Sequence, residues 1–352
     1  MQKHLVIIGA GAAGLPVASQ VRKKNKDIDI TVITDRKYFA YSPCGIPFVF
    51  SGMITSFDTL VLRDKKYYSE MDINILNETT VDKIDLDTNE IFFGNEKLKY
   101  DTLVIATGAK PIIPPIPGIN LEGIYFLNSL EDALKISDAL KNTKSPTIIG
   151  AGAIGLEMAH AFLKKGLKSR LIEMKDRVLP NMLDKDMSSI VEDYLSSLNM
   201  HIHTSTVASS FIGSKKVTHV KANGNEFETD LVLVSVGVRP NVELAKNAGI
   251  ETGITGAIVT DASLRVRRHG KYLKNVYACG NCIEVTDIIT HKSTISALGS
   301  TAIRQGVLVA DNILGKNSVF GSISSPSIAV IGELEVGTVG ITKERALEYG
   351  IS

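Results

Sequence analysis

The chain has 352 residues, of which 44% are hydrophobic, so it can bury a sizeable core and is long enough for two or three domains. Its 39 basic and 38 acidic side chains nearly balance, which gives no electrostatic reason to expect nucleic acid or an anionic membrane surface as a partner. Three cysteines do not make a disulfide scaffold, and the first apolar run is too short for a signal peptide or a membrane span. These features predict a cytoplasmic protein.

The N-terminal apolar run reads as a short strand that leads into Gly9-x-Gly11-x-x-Gly14 and then a helical pattern. In such a string the first glycine permits a tight turn, the second lets the backbone approach a pyrophosphate, and the third lets helix and strand pack closely. The next predicted strand, residues 28–34, ends at Asp35, a carboxylate placed to bind ribose hydroxyls. The segment therefore predicts a dinucleotide site.

The same pattern recurs as Gly150-x-Gly152-x-x-Gly155, again after a short strand. A second strand, residues 169–172, then ends at Glu173. Two such strings, each with a strand before and an acid after, are hard to explain by chance, so we expect two bound dinucleotides.

Two further buried-type strands end in glycine turns, at residues 100–108 and 230–237, and each follows its glycine string at a similar distance. Residues 111–117 contain four prolines, which favour a stiff extended crossing between domains. Residues 239–241 read as the return crossing.

Cys44 lies in the stretch 41–48, just before Pro47, where the first turn of a helix could begin. A thiolate near helix N-terminal N–H groups is stabilised, and the thiolate is the reactive form of cysteine. Because Asp35 precedes Cys44 by nine residues, the sulfur is predicted to lie beside a bound cofactor. The alternative is a small buried hydrophobic residue.

Residues 275–282 form another strand-to-turn junction, and helical spacing extends over residues 294–314 with Gly315 as the C-cap. Cys279 and Cys282 make a Cys-x-x-Cys pair, for which thiol redox chemistry and metal binding remain alternatives to a structural role.

His201 and His203 alternate on a predicted strand and face the same way, but no third ligand is near in sequence. We therefore predict no metal site.

In this order of motifs, the chain resembles the pyridine nucleotide-disulfide oxidoreductases, which are flavoproteins. The Cys-Gly-Ile-Pro setting is similar to the single-cysteine branch of NADH oxidases and coenzyme A-disulfide reductases, and Val49 stands where glutathione-reductase-like members have a second cysteine. The resemblance implies an α/β fold with two Rossmann-like three-layer domains, the NAD(P) domain inserted in the FAD domain, plus the start of a truncated α+β interface domain.

The predicted boundaries are 1–112 and 241–320 for the FAD domain, 113–240 for the NAD(P) domain and 321–352 for an incomplete interface domain. The interface domain makes the homodimer in relatives, so a dimer is doubtful here, and an uncovered strand pair would favour self-association.

The resemblance implies a set of cofactor-binding residues. Those for FAD are Gly9, Gly11, Ala12, Ala13, Gly14, Asp35, Arg36, Ser42, Val81, Ala106, Thr107, Gly108, Gly280, Asn281 and Ala297. Those for the nicotinamide cofactor are Gly150, Gly152, Ile154, Gly155, Glu157, Glu173 and Gly237. The carboxylate of Glu173 favours NADH, although Lys175 and Arg177 nearby leave NADPH possible.

The implied reaction passes hydride from NADH to FAD and on to a catalytic Cys44, which reduces a small disulfide, a per- or polysulfide, or oxygen.

Three departures from the family pattern bear on the acceptor. Ala40 and Tyr41 replace a Ser-Phe pair typical of coenzyme A-disulfide reductases, and the first glycine loop lacks the histidine of NADH peroxidases. Asn281 replaces an aspartate, which changes the local charge.

Two other hypotheses compete with this one. The first is a flavin electron-transfer reductase for rubredoxin or ferredoxin, in which Cys44 is incidental. The second is a catalytically silent binding module with a structural FAD.

Overall fold

The computed structural model describes residues 3–351 of the chain, which divide into two compact units. The first unit contains the N-terminal stretch through Tyr41 together with Val61–Lys110 and Arg239–Ser324. The second contains Ser42–Leu60, Pro111–Val238 and the stretch from Ser325 onward. The chain therefore passes between the units five times, and the cysteine segment belongs to the second unit.

The strands, in chain order, are β1 (His4–Ile8), β2 (Asp29–Ile33), β3 (Ile73–Leu76), β4 (Lys83–Asp85), β5 (Glu90–Phe93), β6 (Glu96–Lys99), β7 (Thr102–Ile105), β8 (Ala109–Pro111), β9 (Ile124–Phe126), β10 (Pro146–Ile149), β11 (Arg170–Ile172), β12 (His201–His203), β13 (Ala208–Gly213), β14 (Val217–Ala222), β15 (Asn225–Glu228), β16 (Leu231–Val234), β17 (Val238–Pro240), β18 (Arg265–Arg268), β19 (Lys271–Ala278), β20 (Val285–Thr286), β21 (Ser293–Thr294), β22 (Ser327–Ile331) and β23 (Leu334–Thr338). The α-helices are α1 (Gly14–Lys24), α2 (Ile46–Phe50), α3 (Lys65–Glu70), α4 (Leu130–Leu140), α5 (Ala153–Lys164), α6 (Lys185–Ser197), α7 (Glu243–Asn247), α8 (Gly299–Ile313) and α9 (Lys343–Glu348), and short 3₁₀ turns cover Pro43–Gly45 and Phe57–Leu60.

The first unit is organised around a six-stranded sheet of order β18-β19-β7-β1-β2-β3. All pairs in it are parallel except β18 with β19. The central strands β1, β2 and β7 are almost entirely apolar and buried, as expected for strands covered on both faces. Because these strands are parallel, the residues that follow them gather at one edge of the sheet.

The second unit repeats this plan with a five-stranded, fully parallel sheet of order β12-β11-β10-β16-β9. Helix α5 follows β10 as α1 follows β1, and an antiparallel sheet of β13, β14 and β15 is added. Phe50 of α2 packs edge-on against Phe162 of α5, with ring centroids 6.4 Å apart. This contact anchors the helix after Cys44 on the helix after the second glycine loop.

The C-terminal stretch forms the β22–β23 hairpin and α9, and polar contacts attach it to helices of the second unit. The Val330 N–H donates to the Glu157 carboxylate at 3.1 Å, and the Glu333 N–H donates to the Tyr194 hydroxyl at 3.0 Å. The first two N–H groups of α9 donate to Asp184 at 2.8 and 3.2 Å. Helices α5 and α6 of the second unit are thus both bonded to this stretch.

The helix expected over residues 294–314 is shorter than predicted. Ser293 and Thr294 pair with β20 instead, and α8 begins at Gly299 after Leu298 in an extended conformation. The predicted end is confirmed, because Gly315 follows the helix with φ of +88°, a conformation that favours glycine.

Candidate dinucleotide and thiol sites

The first glycine loop has the geometry that its spacing predicts. Gly9 has φ of +113° and its N–H donates to the Ile33 carbonyl at 2.7 Å. A Cβ there would collide with the carbonyl oxygen of Ala106, and a Cβ at Gly14 would collide with that of Gly9. No atom lies within 4 Å of a Cβ placed on Gly11, so the outer face of the loop stays open to a ligand.

Other predicted FAD residues lie at the same edge of the first sheet. Ala106, Thr107 and Gly108 follow β7, Gly280 and Asn281 come shortly after β19, and Asp35 comes shortly after β2. The Thr107 hydroxyl donates to the Asn241 carbonyl at 2.6 Å, which fixes the turn. The structure therefore gathers the glycine loop, two turns and one carboxylate at one place.

Gln305 of α8 is a residue that sequence reasoning missed. It is 1% exposed, and its Oε1 accepts the Gly280 N–H at 2.7 Å. Its Nε2 is buried without a hydrogen-bond partner. The signal was present in the sequence, since a glutamine on the buried face of an amphipathic helix needs a polar partner.

The remaining predicted FAD residues, Arg36, Val81, Ala297 and Ser42, lie outside the glycine loop and the two turns. Arg36 Nε lies 3.6 Å from the Asp35 carboxylate, and Val81 packs half-buried against the core of the first unit. Ala297 is exposed just before α8. Ser42 belongs to the second unit, where its carbonyl accepts the Gly45 N–H.

The helix that follows each glycine loop is suited to an anion. Neither α1 nor α5 has a side-chain N-cap or an acidic residue in its first turn. The unpaired N–H groups and the positive end of the helix dipole thus stay available to a phosphate. Together with the open loop face, this fits a dinucleotide pyrophosphate in each unit.

The second glycine loop matches the first closely. Gly150 has φ of +104°, its N–H donates to the Ile172 carbonyl at 2.8 Å, and a Cβ there would collide with the carbonyl oxygen of Ser235. A Cβ on Gly155 would collide with Gly150, whereas the space around Gly152 is open.

Glu173 is tied to the second glycine loop. Its carboxylate accepts N–H groups from Ala151 and Lys175, both at 2.7 Å, and only 6% of the residue is exposed. Each carboxylate oxygen has a second lone pair for a ribose hydroxyl. The two hydrogen bonds therefore orient the carboxylate and leave it able to accept others.

Three more predicted nicotinamide-site residues differ in their surroundings. Ile154 is exposed in the first turn of α5, and Gly237 follows β16 with φ of +106°. Glu157 is half-buried, accepts the Val330 N–H, and burial raises the pKa of its carboxyl. In this structure Glu157 thus serves the C-terminal hairpin.

Cys44 is exposed, as a reactive thiol requires. It lies in the 3₁₀ turn Pro43–Gly45, and α2 begins two residues later at Ile46 with Pro47 as its second residue. Gly45 is buried, and a Cβ there would collide with the side chain of Leu60. The turn is therefore held close to its own unit while the thiol points to solvent.

Cys279 and Cys282 are free thiols within the core of the first unit, with no exposed surface. Burial raises the pKa of both, so each stays protonated and unreactive at neutral pH. His203 packs against Phe227, with ring centroids 4.9 Å apart. Among residues 3–351, no group of three or more potential metal-binding side chains comes together.

None of the helices within the described residues is long and apolar enough to cross a bilayer.

The family model described as pyridine nucleotide-disulphide oxidoreductase matches residues 3–306. An NADH oxidase from Methanocaldococcus jannaschii is 41% identical over 96% of this chain and 76% of its own length. An NAD(P)H sulfur oxidoreductase (CoA-dependent) from Pyrococcus furiosus is 33% identical over 99% of this chain and 78% of its own.

Among solved structures, an NAD-dependent persulfide reductase from A. fulgidus matches with a TM-score of 0.94 and 36% identity. The match covers 99% of this chain and 66% of that one. This likeness confirms the predicted α/β class with Rossmann-type sheets, and the relatives do not favour the electron-transfer alternative. The family confirms FAD and NAD(P)H as cofactors of an oxidoreductase. The chain belongs to the pyridine nucleotide-disulphide oxidoreductase family.

Proposed function

We propose that this oxidoreductase uses NADH to reduce a small disulfide, a per- or polysulfide, or oxygen, and that Cys44 is the thiol that reacts with the acceptor. The observation that carries the proposal is the contrast among the cysteines. Cys44 is exposed at the start of a short helix, whereas Cys279 and Cys282 are buried. Only Cys44 can therefore meet a substrate in solution.

We assign FAD to the glycine loop and sheet edge of the first unit, and the nicotinamide cofactor to those of the second. The chemistry that a bound FAD would supply there is acceptance of a hydride from the reduced nicotinamide and transfer of its two electrons to a thiol or disulfide. The chain's own contribution is to hold each pyrophosphate at an uncapped helix and to fix each glycine loop by backbone bonds.

With a sulfur acceptor, the chemistry at Cys44 balances with one NADH per disulfide or persulfide. The Cys44 thiolate attacks a disulfide RSSR, so that a Cys44–SR bond forms and RS⁻ leaves. Two electrons from NADH and one proton then restore the Cys44 thiolate and release RSH. With a persulfide RSSH the leaving group of the first step is HS⁻, and the second step is unchanged.

Two observations support the choice of acceptor and setting. The relatives named above are described as an NADH oxidase, a CoA-dependent sulfur oxidoreductase and a persulfide reductase. The three free thiols support a reducing, cytoplasmic environment.

The test is an anaerobic titration of the yellow protein with NADH, followed by addition of coenzyme A disulfide, polysulfide or air. In the wild type we expect bleaching of the flavin and its recovery with a sulfur acceptor. Cys44→Ser should still bind FAD and bleach, but should lose at least about 100-fold in disulfide turnover, because the nucleophile is absent.

Cys282→Ala is the control, because it removes a buried thiol and should keep turnover. Unchanged disulfide turnover in Cys44→Ser would overturn the proposal. Equal recovery of Cys44→Ser with air or an iron protein, without any sulfur activity in the wild type, would favour a flavin oxidase or electron-transfer reductase.

A further inference from the structure

The loop after β11 begins and ends on the second glycine loop. At its start, the Glu173 carboxylate accepts the Ala151 N–H, and six residues later the Leu179 N–H donates to the Ala151 carbonyl at 2.8 Å. Just before Leu179, the Val178 N–H donates to Glu192 of α6 at 3.0 Å. Both ends of the segment from Glu173 to Leu179 are therefore bonded to Ala151 of the second glycine loop.

Two cationic side chains lie on this loop, and they differ in burial and in hydrogen bonding. Lys175 is exposed, whereas Arg177 is 8% exposed. The Arg177 guanidinium donates to Asp176 at 2.9 Å, to the Leu183 carbonyl at 3.3 Å and to Glu344. Its hydrogen bond to Glu344 raises the pKa of Arg177, so the guanidinium stays charged throughout the physiological range.

Glu344 comes from the C-terminal helix α9, and its placement is fixed by the backbone. Asp184 accepts the N–H groups of Lys343 and Glu344, and the Thr342 hydroxyl caps the helix by accepting the Arg345 N–H at 3.3 Å. The carboxylate is thus delivered to Arg177 by an element far away in sequence.

We propose that Glu344 is a specificity-determining residue for the nicotinamide cofactor, because it withholds the Arg177 guanidinium from a 2′-phosphate and so favours NADH over NADPH. The inference rests on the proposed function, in that the second glycine loop takes this cofactor. A 2′-phosphate is recognised best by a free guanidinium, which can bind it through two N–H groups. Asp176 and Glu344 pair with the Arg177 guanidinium, and the carboxylate of Glu173 is bonded to the glycine loop.

The test measures binding without turnover, on the full-length FAD-loaded chain. Calorimetry with ADP-ribose and 2′-phospho-ADP-ribose gives a ratio of dissociation constants that reports on the 2′-phosphate alone. We expect the wild type to prefer ADP-ribose. Glu344→Gln removes the charge that holds Arg177, although its amide oxygen can still accept a weaker hydrogen bond. Because a phosphate competes better with a neutral amide than with a carboxylate, the ratio should shift toward the phosphorylated probe by about fivefold to tenfold.

The matched control is Glu348→Gln, which removes the same charge from an exposed position on the same helix. It should leave the ratio unchanged. In the double variant Glu344→Gln with Arg177→Gln, the shift should disappear, because the released guanidinium is gone.

An unchanged ratio in a Glu344→Gln variant that retains FAD and the wild-type melting temperature would overturn the inference. So would an equal shift in Glu348→Gln or a shift that persists in the double variant, since either would point to general charge. Failure of both probes to bind the wild type would instead overturn the assignment of the nucleotide site, and this inference with it.

Discussion

The two glycine loops of this chain are built by the same bonds on different sequences. In the first, the Gly9 N–H donates to Ile33 and the Ala106 N–H donates to Ile8. In the second, the Gly150 N–H donates to Ile172 and the Ser235 N–H donates to Ile149. The common geometry shows that three parallel strands and one left-handed glycine define the cradle, whatever surrounds it.

The acids that follow the loops are not equivalent. Ile33 and Ile172 are equivalent, because each ends the strand that pairs with the strand before a glycine loop. By this alignment Glu173 takes the position of Thr34, and Asp35 lies one residue further along the chain. Asp35 has a side chain that is 61% exposed, whereas Glu173 is bonded to backbone N–H groups at 2.7 Å. The Asp35 carboxylate is thus largely exposed to solvent, whereas the Glu173 carboxylate is a structural part of its loop.

The helices after the loops are also covered differently. In the first unit, Gly306 of α8 lets that helix approach closely, since a Cβ there would collide with the carbonyl oxygen of Ala13. In the second unit, Glu157 accepts the Val330 N–H of the hairpin. Helix α1 is thus covered by a closely packed helix, whereas α5 is covered by a hairpin bonded to a half-buried carboxylate.

The largest expected effect comes from the loop glycines. Gly9→Ala should cost more than about 3 kcal/mol and abolish FAD binding, because the positive φ is strained and the Cβ meets a backbone carbonyl. Gly150→Ala should keep FAD but lose reduction by NADH. Flavin content and NADH bleaching measure both.

Gly11→Ala and Gly152→Ala are the matched controls for stability, since the space around both glycines is open. Each should lower the free energy of unfolding by less than about 1 kcal/mol, even if the added methyl group obstructs the cofactor. Loss of FAD in Gly150→Ala would show that the two cradles are not independent.

The next largest effect is a difference in stability between substitutions of the acids that follow the two glycine loops, Asp35 and Glu173. Glu173→Ala leaves the Ala151 and Lys175 N–H groups without their acceptor and should lower the free energy of unfolding by about 2 kcal/mol or more. Asp35→Ala should change it by less than about 0.5 kcal/mol while weakening FAD binding. Urea denaturation and FAD titration test both, and equal stability losses would contradict the distinction.

The smallest expected effect concerns the pH dependence at Glu157. Burial raises the pKa of Glu157 above its ordinary value of 4.5, so ionisation costs the folded protein stability. The cost begins as the pH rises through 4.5 and is complete above the native pKa. Glu157→Gln, whose amide oxygen can still accept the Val330 N–H, should therefore raise the melting temperature at pH 8 relative to the wild type.

At pH 4 the two melting temperatures should agree, because the wild-type carboxyl is then protonated. A lower melting temperature for Glu157→Gln at pH 8 would mean that the ionised carboxylate makes a stronger bond to the hairpin than burial costs.

Sequence spacing was sufficient for the parts that depend on local rules. The two glycine strings, the strands around them and the end of α8 at Gly315 all follow from glycine's access to positive φ and from apolar runs. The exposure of Cys44, by contrast, came from the structure, because the sequence left a buried thiol as an alternative.

Only the tertiary structure decided which polar groups meet across long stretches of chain. Gln305 reaches Gly280, Val330 reaches Glu157, and Glu344 reaches Arg177. Such pairs carry no sequence period, because buried polar groups take whichever partner the packing brings near. The sequence determined the positions of the two glycine loops, whereas packing decided which charged side chains near them, such as Arg177, are already paired.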